Sequence, residues 1–381
     1  MVRLVCVDDF KGKEARIKVI GVGGGGGNAV NRMVEADIRG VEFVAVNTDA
    51  QALKGNSSPV RIQIGEEITK GLGVGGAPTK GAQAALESGE QIKETVSGCD
   101  LIFVTAGMGG GTGTGASPVI AQIAKENTNA LVVGVVTRPF DFEGAVRAQQ
   151  AQAGITEMRK HTDSMLIIPN DRVLGVAAKD TDWEVAYKMV DEVLKQAIQG
   201  ISDIVTKTGA LNVDFADVKR VMTKSGEALI GIGMAEGPER HIEAARKAIE
   251  SPLLENAIIE GAKGILVIYT SGRSFSIHDI DASMKYIQHT VSSDALVKYG
   301  QTEDETLGDT LKITVIATGF PTKRNFKKEV FTSKHSKRRD DSLRNWDDLN
   351  VNPSGASTLI EDNQDLEKPA YLRKRSGRIL K

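Results

Sequence analysis

The chain has few of the features that mark secreted, membrane or metal-dependent proteins. Its only cysteines, Cys6 and Cys99, lie far apart and without metal-ligand spacing, a usage that suits a reducing cytoplasm. No apolar run approaches the roughly 18 residues of a membrane span, and the opening segment MVRLVCVDDFKGKE lacks the apolar core of a signal peptide. A cytoplasmic protein without direct membrane insertion is expected. The net charge of −2 gives no reason to expect a nucleic-acid partner. The Walker pattern GxxxxGK[ST] is also missing, so any nucleoside triphosphate site must be built another way.

Glycine, in contrast, is plentiful and placed. The run GGGTGTG, Gly109 to Gly115, follows an apolar stretch, Leu101 to Val104, and precedes a helix-like segment. Glycines let a backbone turn through positive φ and bring its N–H groups against an anion, and Thr112 and Thr114 add hydroxyls at the positive end of the following helix. A second run, Gly23 to Gly27, lies between the strand pattern RIKVIGV (16–22) and the helix pattern NAVNRMVEA, and a third segment, GLGVGGAP, puts Gly75 and Gly76 ahead of another helix. Gly21, Gly23 and Gly26 also satisfy GxGxxG, which keeps open an NAD-dependent oxidoreductase as the alternative.

Strand patterns at 16–22, 41–46, 101–104, 131–136 and 164–168 alternate with helix patterns, which predicts a parallel sheet covered on both faces, with ligands bound beyond the carboxyl ends of its strands. A long helix from Trp183 to about Lys207 is expected to carry Val185, Met189, Val193, Ala197 and Ile201 on one side. Further strand patterns at 263–270 and 310–317 belong to a second region, 225–320, with no glycine loop or reactive cluster of its own. After Phe320 the composition changes. Residues 321–346 hold nine Lys or Arg against three acids, 347–367 hold six acids and no base, and the last fourteen residues hold six bases and no acid. So few apolar residues accompany these charges that a packed core is not expected. Within the tail, Leu366, Ala370, Tyr371 and Leu372 give residues 365–375 an apolar face suited to a partner.

Three spaced pairs and one single residue, Asn47, are candidates for a site. Tyr187 and Asp191 are four apart on the long helix, either a core aromatic with a surface acid or a ring that stacks on a purine beside a carboxylate. A carboxylate accepts from the N1–H and amino group of guanine but faces an acceptor on adenine, so it would select guanine. Glu143 and Arg147, four apart at the start of a helix pattern, read by themselves as an ordinary surface ion pair. Asn47, at the end of the second strand, is a turn residue or a nucleotide contact. Asp214 and Asp217, three apart in NVDFAD, are an N-cap with an acid in the first turn, worth about 1 kcal/mol, or two carboxylates that polarise a water.

The three glycine segments, together with VNTD (46–49), TRPFDFEG (137–144), PND (169–171) and NVDFADV (212–218), resemble the FtsZ family of bacterial tubulin-like GTPases, in order from about Arg16 to Phe320. Departures are small: Gly27 stands where the family often has Asn, Tyr187 where Phe is common, and the C-terminal peptide reads DLEKPAYLRKR. The resemblance implies an α/β fold: a tubulin-like, Rossmann-like parallel-sheet GTPase domain (16–182) after a flexible segment (1–15), a central helix (183–207), a catalytic loop and helix (208–224) and a smaller α+β domain (225–320). A disordered linker (321–364) and a partner-binding peptide (365–381) follow.

The same resemblance implies GTP or GDP with Mg²⁺ as ligands. They would be held by Gly24, Gly25, Gly26, Gly27 and Asn28, by Asn47, by Gly75 and Gly76, and by Gly111, Thr112, Gly113, Thr114 and Gly115. Glu143 would meet the ribose hydroxyls with Arg147 near the nucleotide, Tyr187 and Asp191 would recognise the base, and Asn170 would lie in the base or ribose region. Asn212, Asp214 and Asp217 would project from one subunit into the nucleotide site of the next, so that GTP is hydrolysed within head-to-tail filaments of the cell-division ring. The C-terminal peptide would bind membrane-tethering and regulatory division proteins.

Overall fold

The computed structural model describes residues 15–320, apart from 176, 179, 207–212, 255–260 and 273–275. The expectations for residues 1–14, Asn212 and the tail beyond 320 fall outside the described residues.

Along the chain come β1 (Ile17–Val22), α1 (Gly23–Glu35), β2 (Val41–Asn47), α2 (Ala50–Lys54), β3 (Val60–Gln63), α3 (Glu66–Thr69), α4 (Pro78–Glu87), α5 (Gly89–Val96), β4 (Leu101–Gly107) and α6 (Thr112–Asn127). Then follow β5 (Leu131–Arg138), α7 (Ala145–Met158), β6 (Ser164–Pro169), α8 (Asn170–Leu174), α9 (Trp183–Thr206) and α10 (Phe215–Met222). The last stretch holds β7 (Gly226–Ala235), α11 (Arg240–Ile249), β8 (Gly264–Ser271), α12 (Ile277–His289), β9 (Leu296–Glu303) and β10 (Leu311–Thr318).

The strands form one ten-stranded sheet in the order β3-β2-β1-β4-β5-β6-β7-β10-β8-β9. Every neighbouring pair from β3 to β7 is parallel, as the alternating patterns predict, whereas β10 runs antiparallel between β7 and β8. The two halves meet in a short ladder, Ser164 to Leu166 of β6 against Gly226 to Ala228 of β7. The fold is thus a mixed α/β sheet with helices on both faces. One core packs α1, α9 and α10 under the sheet, and another packs α4, α5, α6 and α7 over it.

Two expectations need correction. The run Gly23 to Gly27 is not a loop ahead of a helix but the first turn and more of α1, and only Gly23 has a left-handed φ, +72°. Close approach requires the glycines here. A Cβ on Gly26 would lie 2.4 Å from the Thr105 carbonyl oxygen, and one on Gly21 would lie 2.3 Å from that of Gly26. The buried stripe of α9 also differs from the expected one near its start. Ala186, Val190 and Leu194 face inward there, joined by Ala197 and Ile201, while Val185 is 45% exposed. Ala186 and Val190 are drawn in because they pack on Phe140 and Val173.

Candidate functional site

The glycine segments converge at the carboxyl ends of β1 and β4. Gly23 opens α1 so close to α6 that a Cβ on it would lie 2.8 Å from the Gly113 nitrogen. A Cβ on Gly113 would in turn lie 2.7 Å from the Gly107 carbonyl oxygen. The first turns of both helices therefore present their N–H groups side by side, an arrangement suited to phosphate. Gly24 and Gly25 are exposed, and a Cβ on Gly24 would meet nothing within 4 Å. Gly26 and Gly27 are buried beneath them, and Asn28 is exposed beside them. Gly75 and Gly76, at φ +59° and +77°, stand exposed ahead of α4 with open space where side chains would be.

Gly111 and Gly115 face α4 instead. A Cβ on Gly111 would lie 2.4 Å from Val74, and one on Gly115 would lie 1.9 Å from the Pro78 carbonyl oxygen. Their lack of side chains lets α4 and α6 touch, which fixes the GGGTGTG turn against the third glycine segment. The two threonines divide their work. Thr114 is buried and its hydroxyl accepts from the Gly109 N–H at 2.8 Å, closing the turn. Thr112 shares a 2.7 Å hydrogen bond with the Thr48 hydroxyl, tying the turn to the end of β2. Asn47 does act as a turn residue, its side-chain oxygen accepting from the Thr48 N–H at 2.8 Å and the Asp49 N–H at 3.3 Å. It also lines a polar cleft of ≈ 170 Å³ with Gly23, Gly24, Asn28, Gln51 and Asn56. Ligand pockets usually exceed about 300 Å³, so a nucleoside triphosphate would extend out of this cleft across the α1 N-terminus.

The remaining candidates gather on the far side of α1, around the start of α9. Glu143 ends a short 3₁₀ turn after β5; one carboxylate oxygen accepts from the Phe140 N–H at 2.9 Å and the other pairs with Arg147. The Tyr187 ring is held edge to face by Phe140 at 5.2 Å and by Trp183 at 6.3 Å. Burial pushes the Tyr187 phenol up, and the adjoining Glu143 carboxylate adds to the shift. Asn170 is buried at the start of α8, and its side-chain oxygen has no hydrogen-bond partner. A buried acceptor left open is costly unless a ligand fills it. Asp191, one turn beyond Tyr187, has a side chain 14% exposed and 3.5 Å from the guanidinium of Arg32 on α1. Its pKa is raised to about 6 by burial, against the opposing pull of Arg32. Arg32 is a partner of Asp191 that the sequence did not reveal.

The carboxylates Asp214 and Asp217 lie elsewhere. The start of α9 adjoins Phe140 after β5, whereas its last residue, Thr206, abuts Gly40 ahead of β2. The helix thus crosses from the carboxyl ends of the strands to their amino ends, and its 24 residues cover roughly 36 Å. Lys219 of α10 donates to the Asn129 carbonyl just ahead of β5, which fixes α10 at the amino ends. Asp214 is the N-cap residue of α10, yet its exposed side chain makes no capping hydrogen bond. Asp217 pairs with Lys298 at 3.0 Å, with a third of its side chain exposed. Lys298 too was invisible in the sequence. The two acids are consequently far from the glycine segments of their own chain, about the length of a seven-residue strand or roughly 23 Å at the least. Among the described residues no three His, Cys, Asp or Glu side chains are grouped to hold a metal ion, and no helix is long and apolar enough to cross a membrane.

Comparison with known proteins agrees with this architecture. Residues 16–178 match the GTPase domain of the Tubulin/FtsZ family, and residues 226–321 match the C-terminal domain of the FtsZ family. An empty FtsZ dimer from M. jannaschii is 39% identical, with a TM-score of 0.78 over 81% of this chain and 89% of that one. A tryptophan-to-tyrosine point mutant of FtsZ from the same organism is 40% identical, with a TM-score of 0.77 over 81% and 92%. CetZ2 from Haloferax volcanii, solved as a GTPγS-bound protofilament, shares the fold at 21% identity and a TM-score of 0.70 over 80% and 93%. Neither the site nor these relatives support the NAD-dependent alternative. With its glycine-lined site and both family domains in order, the chain belongs to the Tubulin/FtsZ family as an FtsZ-like, guanine-nucleotide-binding cytoskeletal GTPase of cell division.

Proposed function

We propose that this protein assembles head to tail into filaments and hydrolyses GTP only where two subunits meet. The observation that carries the reading is the separation of the two halves of the machinery: glycine segments at one end of the sheet, Asp214 and Asp217 at the other, joined by α9. A subunit stacked on the next with the same orientation brings the acids of one to the nucleotide of the other. Such a contact does not close on itself and so builds an open filament. The FtsZ relative is described as a dimer and the CetZ2 relative as a protofilament, which supports self-association.

In this reading the N–H groups of α1 and α6, with Gly24, Gly25, Gly75, Gly76 and Gly113, hold the phosphates, while Thr112 and Thr114 shape the turn. Glu143 and Arg147 take the ribose, Tyr187 the face of the base, and Asn170 and Asp191 its edge. Asp214 and Asp217 of the incoming subunit, with Asn212, orient and polarise the attacking water. Mg²⁺ would offset charge on the phosphates, and because the described residues offer it no carboxylate cluster, it would be held chiefly by the nucleotide. Loss of the γ-phosphate then weakens the contact between subunits. The filaments would form at the division site, tethered beneath the membrane through residues 365–375.

The test is the dependence of turnover on protein concentration. Phosphate release per molecule is expected to be near zero at high dilution and to rise above a threshold that coincides with the onset of light scattering. A rate per molecule that is constant across dilution contradicts the shared site.

A further inference from the structure

Arg32 lies on α1 one turn beyond Asn28, and its guanidinium reaches across to α9. Its Nε is 3.5 Å from a carboxylate oxygen of Asp191, and its Nη1 is 4.0 Å from Glu35 on its own helix. The Nε is buried and has no aligned hydrogen-bond partner. Arg32 is the charge that acts on Asp191 among the described residues, and the helix neighbours of Asp191, Glu192 and Lys195, pair with each other at 2.8 Å. A carboxylate can accept about four hydrogen bonds. Asp191 can therefore meet a base along one edge while Arg32 holds the other.

We propose that Arg32 is the positioning residue of base selection: it keeps the Asp191 carboxylate ionised and fixed in orientation, so that it accepts from guanine and repels adenine. The inference rests on the reading of Asp191 as the acceptor for the base edge. Its logic is that burial alone favours the protonated acid. A protonated carboxyl presents an O–H, which the N1 acceptor of adenine welcomes, so discrimination depends on the charge and not only on the presence of the acid. Arg32 opposes the burial and leaves the pKa at about 6, low enough for Asp191 to be ionised at neutral pH. Without the guanidinium the pKa of the group rises further, and each unit of that rise lowers the fraction able to accept from guanine by up to about tenfold.

The experiment is calorimetric binding of GTP and of ATP to the full-length chain between pH 5 and 8.5, at concentrations below assembly. The ratio of the two affinities cancels the titration of the phosphates themselves. For the parent the ratio is expected to rise with pH through about 6 and then level. For Arg32→Met, which keeps the aliphatic stem, the midpoint moves up and the ratio at pH 7 falls, by about twofold for a rise of one unit and about tenfold for a rise of two. Arg32→Lys restores the parent midpoint. Arg32→Gln is a second uncharged variant that must show the same upward move if Arg32→Met does not fold. An unchanged midpoint in the uncharged variants, with both nucleotides weakened equally, overturns the inference. Asp191→Asn separates the two levels: if it retains the parent ratio, the base-edge reading itself fails.

Discussion

Replacing Asp217 with Asn separates a catalytic role from a structural one by size of effect. Among the described residues the Asp217 side chain makes one interaction, the 3.0 Å pair with Lys298, and both side chains are about a third exposed. Exposed pairs of this kind are worth about 0.2–1 kcal/mol. A loss of about 1 kcal/mol lowers the melting midpoint of a domain of this size by no more than about 4 °C. Asn keeps the size and the hydrogen-bonding reach of Asp, so the turn into α10, where the Asp217 N–H donates to the Asp214 carbonyl at 2.8 Å, is unaffected. If Asp217 instead polarises water at a neighbour's nucleotide, losing its charge costs about 10²–10⁴ in rate. The assay is phosphate release per mole of sedimented polymer, alongside a thermal melt and GTP binding. The expected result is intact binding, a midpoint lowered by a few degrees, turnover down at least about a hundredfold, and longer-lived polymer. Near-normal turnover per polymer with the same small thermal loss would refute the argument.

Three further outcomes follow from particular contacts. Gly24→Ala leaves stability unchanged or raised by up to about 1 kcal/mol in melts, because a Cβ there meets nothing within 4 Å and Ala favours a helix over Gly, yet it weakens GTP binding by projecting toward the phosphates. The pKa of Asp191 is raised from 3.8 to about 6, so this group's contribution to the stability of the empty chain is full below pH 3.8 and lost as pH rises through about 6. GTP affinity relative to ATP moves the opposite way, since the ionised form binds guanine; titration calorimetry that finds a flat ratio from pH 5 to 8 contradicts the assignment. Gly233→Ala lowers the melting midpoint without changing GTP affinity in the folded chain, because its Cβ would lie 2.0 Å from the Ala244 carbonyl oxygen and α11 must retreat, at an overpacking cost of about 1–3 kcal/mol.

Strands β1, β2, β4, β5 and β6 were readable because each is dominated by apolar residues, as buried parallel strands are, despite Lys18 in β1 and Glu42 in β2. Three others were not. β7 (GEALIGIGMA) carries glycines that look like breaks but are required where Gly231 and Gly233 sit against the α11 backbone. β9 and the short β3 are largely polar edge strands with little periodic signal. Glycine also misled at α1, where it reads as a loop yet forms the helix start pressed onto β1 and β4. Of the site, the local pairs were legible by helical spacing: Glu143 with Arg147, and Tyr187 with Asp191. Arg32 and Lys298 were not, because each is defined by a partner on a distant element, Asp191 and Asp217 respectively, and no local pattern carries that information.

Mixing two defective chains shows whether one subunit supplies Asp217 to nucleotide held by another. Asp217→Asn retains the phosphate turn. Gly113→Ser keeps its own Asp217 but loses GTP binding, since the added Cβ would lie 2.7 Å from the Gly107 carbonyl oxygen and force the α6 start out of line. Hybrid interfaces then present nucleotide on the first variant to an intact Asp217 from the second. Phosphate release in the mixture is expected to exceed the sum of the separate activities. Co-assembly verified by sedimentation, with release no greater than that sum, would contradict the shared site.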